Sequence, residues 1–338
     1  MSDSVATVDP AGKLLSAVIP VYCEGEHIRS SLRAIGACMA ETECRYEIIV
    51  VDDGSHDGTW HEVVEAVRAD ARVRAYRLSR NFGKEAALSA GLERARGDAV
   101  VVLDADLQHP PEIIREMVKI WRESKVQIVS GKKRQRGDEP LARRIGAKVT
   151  SSLLSRLSGF DLTGATDFKL MDRCVVNAWL SLPERRTFFR GMVSWLGFRH
   201  SEIEFDVTDG VSRESRWSTS KLMRLALTAI TTFSAAPLHL VSAMGLMFLL
   251  FAVVLGAWTF WMWAAGQAVS GFTTVILLQL MIGSCLALGL GIIGEYLATV
   301  YFEIKGRPRY VISETFGAAD AQLSGNPSPS LDRGSGLP

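Results

Sequence analysis

Ala99-Val100-Val101-Val102-Leu103-Asp104-Ala105-Asp106-Leu107-Gln108-His109-Pro110-Pro111-Glu112 reads as a buried strand that ends in two carboxylates and an amide. A short, unbroken apolar run suits a strand covered on both faces of a parallel sheet. The carboxyl ends of such strands are where open α/β sheets bind ligands. Three hard oxygen donors at that lip suit Mg²⁺ or Mn²⁺, which complete their shells with substrate phosphates and water. Pro110 and Pro111 start a helix running to Arg122, because proline is tolerated in a first turn. Asp-x-Asp alone occurs in many solvated loops; the strand before it and the Leu-Gln-His-Pro-Pro-Glu after it set this one apart.

The flanking sequence alternates strand and helix in the same way. Leu14–Val21 predicts an apolar strand and 26–39 an amphipathic helix. Tyr46–Val51 predicts a second strand, ending in Asp52-Asp53-Gly54-Ser55, with a helix over 59–69. A strand over Val73–Leu78, a helix over Lys84–Arg94 and a strand over 127–130 complete the pattern. Regular alternation of this kind argues for a parallel α/β sheet with helices on both faces.

A different region begins further on. From Leu225 to Gly294 there is no Asp, Glu, Lys or Arg, and 240–263 and 272–294 are each long enough to cross a bilayer. Gly266, Gln267, Ser270 and Gly271 mark the turn between them. Trp258, Phe260, Trp261 and Trp263 fit an interfacial aromatic belt. Arg216, Lys221 and Arg224 precede the pair and Lys305, Arg307 and Arg309 follow it, so the positive-inside rule puts both ends in the cytoplasm. Residues 222–236, apolar and small, suit a helix lying along the membrane surface.

Over 338 residues the formal net charge is +1 and 48% of residues are hydrophobic, an average that conceals these two regions. Near-neutrality gives no reason to expect nucleic acid as a partner. Met1–Lys13 is polar and acidic, unlike a signal peptide. The five cysteines show no Cys-x-x-Cys spacing, which points to neither zinc nor a disulfide framework. After Glu314 a Gly-, Ser-, Pro- and Ala-rich composition predicts a disordered tail.

Several motifs together resemble family 2 glycosyltransferases of the GT-A, nucleotide-sugar-binding fold. They are Val18-Ile19-Pro20-Val21-Tyr22-Cys23-Glu24, Asp52–Thr59 and Asp104–Glu112. Asn81-Phe82-Gly83-Lys84, Thr166–Arg173, Arg190-Gly191-Met192 and Ser215-Arg216-Trp217 are similar to the polyprenyl-phosphate branch, which includes dolichol-phosphate mannose synthases and bactoprenol glucosyltransferases. Gly294-Glu295-Tyr296-Leu297 and Lys305-Gly306-Arg307-Pro308 extend that likeness, and the two-span arrangement looks most like the bactoprenol subgroup.

The resemblance implies an inverting, metal-dependent transfer from a nucleotide-sugar, with UDP-glucose the first expectation, to undecaprenyl phosphate at the membrane. Asp106 and Gln108 are then direct ligands of Mg²⁺ or Mn²⁺, with Asp104 directed to the ribose or the metal shell. Pro20 and Tyr22 can hold a flat base, and Glu24 and Asp53 can meet nucleoside hydroxyls or base edges. Asp52–Ser55 suits equally a turn that caps the next helix. Lys84 approaches base or phosphate, or is a solvated lysine at a helix start. Arg134 and Arg144, in a basic segment with a helix over 141–157, can grip the acceptor phosphate bidentately. Asp167 resembles a catalytic base, but an ionised phosphate acceptor needs none, so it is expected to position acceptor or sugar; its structural alternative is pairing with Arg173 or another base. His109 is expected to pack or cap rather than ligate.

The implied organisation is a disordered lead (1–13), a cytoplasmic catalytic domain (14–215), an interfacial helix region (216–236), two spans (237–301), and a cytoplasmic segment with a disordered tail (302–338). Relatives with this arrangement imply a homo-oligomer, a tetramer, in the inner membrane. A different donor (UDP-N-acetylglucosamine, another UDP-hexose or GDP-mannose) is the neighbouring alternative. A processive polysaccharide synthase is another, because Arg213–Trp217 imitates the Gln-x-x-Arg-Trp signature with arginine in place of glutamine. A silent nucleotide-sugar-binding scaffold is the third, and the intact Asp104, Asp106 and Gln108 speak against it.

Overall fold

The computed structural model describes residues 12–133, 166–184, 188–205, 236–266 and 271–317. Within them the chain runs β1 (Leu14–Val21), α1 (Ile28–Ala40), β2 (Arg45–Asp52), α2 (Thr59–Ala69), β3 (Val73–Leu78), α3 (Lys84–Arg94), β4 (Ala99–Val102), α4 (Ile113–Glu123) and β5 (Ile128–Lys133). It continues with β6 (Lys169–Asp172), α5 (Arg173–Leu180), α6 (Phe189–Trp195), β7 (His200–Phe205), α7 (Ala236–Ala264), α8 (Phe272–Ile304) and β8 (Ile312–Phe316).

The eight strands form one sheet in the order β7-β5-β6-β4-β1-β2-β3-β8. β1, β2, β3 and β4 are mutually parallel, as expected. β6 and β8 run against their neighbours, so the sheet is mixed rather than wholly parallel. The antiparallel edge strand β8 corrects a second expectation, since the segment expected to become a disordered tail after Glu314 continues its pairing to Phe316. Lys13 departs likewise from a disordered lead: its carbonyl accepts Arg45 N and its ammonium lies 4.3 Å from the Trp121 ring centre. Pro110 and Pro111 lie in the turn ahead of α4, their carbonyls accepting Ile113 N and Ile114 N.

Both faces of the sheet are covered. α1, α2 and α4 cover one, and α4 shows the logic most simply: Ile114, Met117, Val118 and Trp121 are its buried residues, at i, i+3, i+4 and i+7. α3, α5 and α6 pack on the other face, where Leu88, Val176, Trp179 and Phe189 join Val18, Ile49 and Val100 in a second core. The chain leaves β1 for β2 and β3 on one side and returns to β4 on the other. A crevice therefore opens where the strand order reverses, between the carboxyl ends of β1 and β4.

α7 and α8 are apolar and outward-facing, with Trp258, Phe260, Trp261 and Trp263 all exposed. By length and composition Val241–Ala264 and Met281–Ile304 are candidate membrane spans. α8, at 33 residues, extends past Glu295 and Glu303 and beyond the expected boundary at 294. Its length of about 50 Å exceeds a hydrocarbon core of about 30 Å. Arg134, Arg144, the 141–157 helix, Gln267, and the interfacial region ahead of Ala236 lie outside the described residues.

Candidate active site

At that crevice lies a cleft of about 280 Å³ lined by Pro20, Tyr22, Glu24, Asp53, Lys84, Asp104 and Asp106, among others. Seven residues singled out from sequence thus share one cavity. Gln108 is exposed beyond its lip.

The wall nearest β1 and β2 is made by turns locked to one another. Cys23 stands at φ 56°, a left-handed conformation that favours glycine, and Tyr22 before it is 43% exposed beside the cleft. Cys23 N donates to Ser55 Oγ (2.9 Å) and Glu24 N to Thr59 Oγ1 (2.9 Å). The two readings of Asp52–Ser55 resolve into a division of labour. Asp52 closes the turn by accepting Ser55 N, Asp57 accepts Thr59 N at the start of α2, and Asp53 faces the cleft. Each Asp53 oxygen accepts one amide, from Phe82 (2.7 Å) and Gly83 (2.8 Å). Burial pushes the Asp53 pKa up against those two amides. A carboxylate oxygen has a second lone pair, so a nucleoside hydroxyl can still be met.

Deeper in, charges alternate in a chain. Lys84 Nζ sits 2.6 Å from Asp104 Oδ1 and 2.7 Å from Asp167 Oδ2. Arg190 binds Asp167 bidentately, Nε to Oδ1 at 2.6 Å and Nη2 to Oδ2 at 2.9 Å. Lys84 is therefore neither a free lysine at a helix start nor aimed only at a ligand; it bridges two carboxylates from different parts of the sheet. Burial pushes the Asp167 carboxyl up, but Arg190 and Lys84 outweigh it and hold the group well below the usual carboxylate range. A carboxylate so stabilised is a poor proton acceptor. Of the bases the structural alternative allowed, Arg190 and Lys84 pair with Asp167, while Arg173 donates from Nε to the Gly97 carbonyl (2.7 Å).

Three further residues had no role assigned from sequence. Arg190 stood in a quoted motif, and only the fold brings α6 to Asp167. Glu85 accepts Phe189 N (2.8 Å), tying α3 to the start of α6, and burial pushes its pKa up to about 7. Lys169 is 1% exposed and donates to Ser130 Oγ (2.9 Å); burial lowers its pKa to about 8.

The Asp104–Gln108 turn suits a hard cation. Leu107 adopts φ 53°, a strained value of the kind that clusters at functional turns. Gln108 N donates to Asp106 Oδ1 (3.1 Å), which fixes that carboxylate at the mouth of the cleft. Among the described residues no three His, Cys, Asp or Glu side chains gather as a metal cage. Two carboxylates with an amide oxygen nearby fit instead an ion that takes its remaining ligands from phosphate and water. His109 packs, as expected, its ring centre 5.3 Å from Phe168 and 5.4 Å from Phe205.

The family model of glycosyl transferase family 2 matches residues 16–182. A glycosyltransferase of Synechocystis sp. is 38% identical over 308 residues, covering 90% of this chain and 96% of that protein. The bactoprenol glucosyl transferase of Shigella phage SfII is 33% identical over 303 residues, covering 89% of this chain and 98% of that one. Among solved structures, glucosyl-3-phosphoglycerate synthase from Mycobacterium tuberculosis, in complex with Mn²⁺, UDP and phosphoglyceric acid, shares the fold. Its TM-score is 0.50 at 21% identity, over 66% of this chain and 78% of that one. The chain belongs to glycosyl transferase family 2, on the branch of the polyprenyl-phosphate glycosyltransferases.

Proposed function

We propose that this glycosyltransferase moves a single sugar, glucose from UDP-glucose, onto undecaprenyl phosphate with inversion, giving a polyprenyl-phosphate-sugar and UDP. The observation that carries the reading is the placement of Asp104 and Asp106 in one cleft with Tyr22, Glu24 and Asp53, at the topological switch point. Similarity to bactoprenol glucosyl transferases over almost their whole length supports the sugar and the acceptor.

Pro20 and Tyr22 hold the base, and Glu24 and Asp53 meet nucleoside hydroxyls or base edges. Asp106 and Gln108, with Asp104, would hold Mg²⁺ or Mn²⁺, which when bound offsets the negative charge that gathers on the departing nucleoside diphosphate. Lys84 holds Asp104 in place and lines the same cleft. Arg190 and Lys84 keep Asp167 ionised and fixed, so that it orients the sugar or the acceptor. The acceptor phosphate is already ionised near neutral pH, and Arg134 and Arg144 grip it while its oxygen attacks the anomeric carbon in line.

The two candidate spans anchor the enzyme in the inner membrane with the catalytic domain and both ends cytoplasmic, as a homo-oligomer. Confinement raises the local concentration of a lipid acceptor. Labelling in sealed vesicles checks the orientation: the 131–137 segment and the tail react from the cytoplasmic side and Gln267, replaced by cysteine, from the other. A tail reactive only from the far side contradicts it.

A panel of nucleotide-sugars with undecaprenyl phosphate in detergent tests the function. UDP-glucose is expected to give the fastest release of UDP and a monoglycosylated lipid. GDP-mannose turning over in its place overturns the donor assignment, and a polymeric product overturns single transfer.

A further inference from the structure

We infer that Glu314, on the strand that follows the second candidate span, is a positioning residue for the nucleotide pocket, acting through Arg77. The inference rests on the reading of the cleft as the donor site.

β8 closes the far edge of the sheet, antiparallel to β3, with Glu314 opposite Arg77 and Ile312 opposite Leu78. Ser313 is the extra residue of a bulge, its hydroxyl donating to the Arg77 carbonyl (3.2 Å). Bulges re-aim the side chains beside them. Here Glu314 Oε1 accepts Arg77 Nη1 at 2.8 Å while Oε2 accepts Trp60 Nε1 of α2 at 2.9 Å. Glu314 thus fixes one end of the guanidinium against a rigid indole.

The other edges of the guanidinium point into the turn that builds the pocket wall. Arg77 Nη2 donates to the Ser55 carbonyl at 2.9 Å, and Nε lies 3.4 Å from Asp52 Oδ2. Asp52 is completely buried, and Oδ2 has no hydrogen-bond partner, so this guanidinium is its counter-charge. Asp52 Oδ1 accepts both Ser55 N and Ser55 Oγ, and Ser55 Oγ accepts Cys23 N. Cys23 in its left-handed conformation separates Tyr22 from Glu24, both of which line the cleft. Every link from Glu314 to the pocket wall is a direct contact, and one lies beside a buried charge. Disturbing the guanidinium leaves Asp52 poorly compensated, which strains the turn.

Glu314 is separated from the end of α8 by the short 305–313 segment. That segment is itself fastened to the domain, Arg309 donating to the Leu182 carbonyl (2.8 Å) and Arg94 to Tyr310 Oη (2.8 Å). The nucleotide pocket is thereby completed by chain from beyond the candidate spans. As an exposed ion pair, Glu314–Arg77 contributes little stability. Its effect lies in geometry.

The test is full-length protein in detergent, comparing wild type, Glu314→Ala and Glu314→Gln. UDP affinity by calorimetry with Mn²⁺ is read beside donor KM, acceptor KM, kcat and Tm. Glu314→Ala is expected to weaken UDP binding and raise donor KM about five-fold, leaving kcat and acceptor KM within about two-fold. Glu314→Gln keeps one acceptor oxygen, for Arg77 or for Trp60 but not for both, and is expected to recover part of that loss. Unchanged UDP affinity in Glu314→Ala overturns the inference. So does a fall in Tm with kcat and both KM values shifted together, which marks a purely structural residue. Failure of UDP to bind wild type would overturn instead the donor reading of the cleft.

Discussion

The two halves of the sheet are built differently. In β3-β2-β1-β4 each strand is joined to the next in the chain by a single helix and all run parallel, with β1 paired to both β2 and β4. In β6-β5-β7 an antiparallel strand is inserted between parallel ones, and residues 134–168 separate β5 from β6. The first half supplies the proposed nucleotide wall and Asp104; the second supplies Asp167, with α6 bringing Arg190. Lys84 spans the seam, at 2.6 Å and 2.7 Å from the two carboxylates. On the proposed reading, donor recognition belongs to a repetitive strand–helix architecture. The geometry proposed for transfer depends on joining it to the half that holds the inserted antiparallel strand.

The largest effect is expected within the first half. Asp106→Ala should abolish transfer, by on the order of a thousand-fold or more, while the protein stays folded and membrane-bound. EDTA should do the same to wild type, reversibly with Mn²⁺ or Mg²⁺. Sugar incorporated into the lipid fraction is the readout, and full activity in chelator removes the metal from the account.

Next come the residues at the seam. Lys84→Met should lower kcat roughly a hundred-fold and weaken UDP binding too, since it strips a cation from both carboxylates. Arg190→Met should lower kcat by a similar factor but leave UDP affinity within about two-fold, because its partner Asp167 belongs to the other half. Equal losses of UDP affinity in both variants would erase the division between the halves.

The smallest effect concerns stability. Glu85 joins α3 to α6, and burial raises its pKa from the ordinary 4.5 to about 7. Its protonated form is therefore favoured on folding. That contribution is fully present below about pH 4.5 and is lost as pH rises through about 7. Compared with Glu85→Gln, wild type should lose on the order of 1–3 kcal/mol between pH 5 and 8. Parallel Tm profiles for the two proteins would show that Glu85 is not buried at this joint.

The same contrast governs what could be read from sequence. Leu14–Val21, Thr59–Ala69, Val73–Leu78 and Lys84–Arg94 were legible to their end residues because apolar runs, turn residues and helical periodicity are local signals. β6 is four residues long and sits inside a motif whose side chains suggest chemistry before structure. β7, His-Ser-Glu-Ile-Glu-Phe, has only two buried positions and little apolar signal. β8 pairs with a strand more than 230 residues earlier, so its composition alone suggested the beginning of a tail. Asp104, Asp106, Asp53 and Glu24 were recognisable as carboxylates at strand ends. The Lys84–Asp167–Arg190 chain was not, because it exists only once the sheet order is known.

The most direct test of the central claim is a choice of acceptors under one set of conditions. Wild-type enzyme with labelled UDP-glucose and Mn²⁺ is offered undecaprenyl phosphate or undecaprenol, and the lipid products are identified by mass. The account predicts one hexose joined through a phosphodiester to undecaprenyl phosphate, with no product from the alcohol. A hexose attached directly to undecaprenol, or a ladder of longer saccharides, would contradict it.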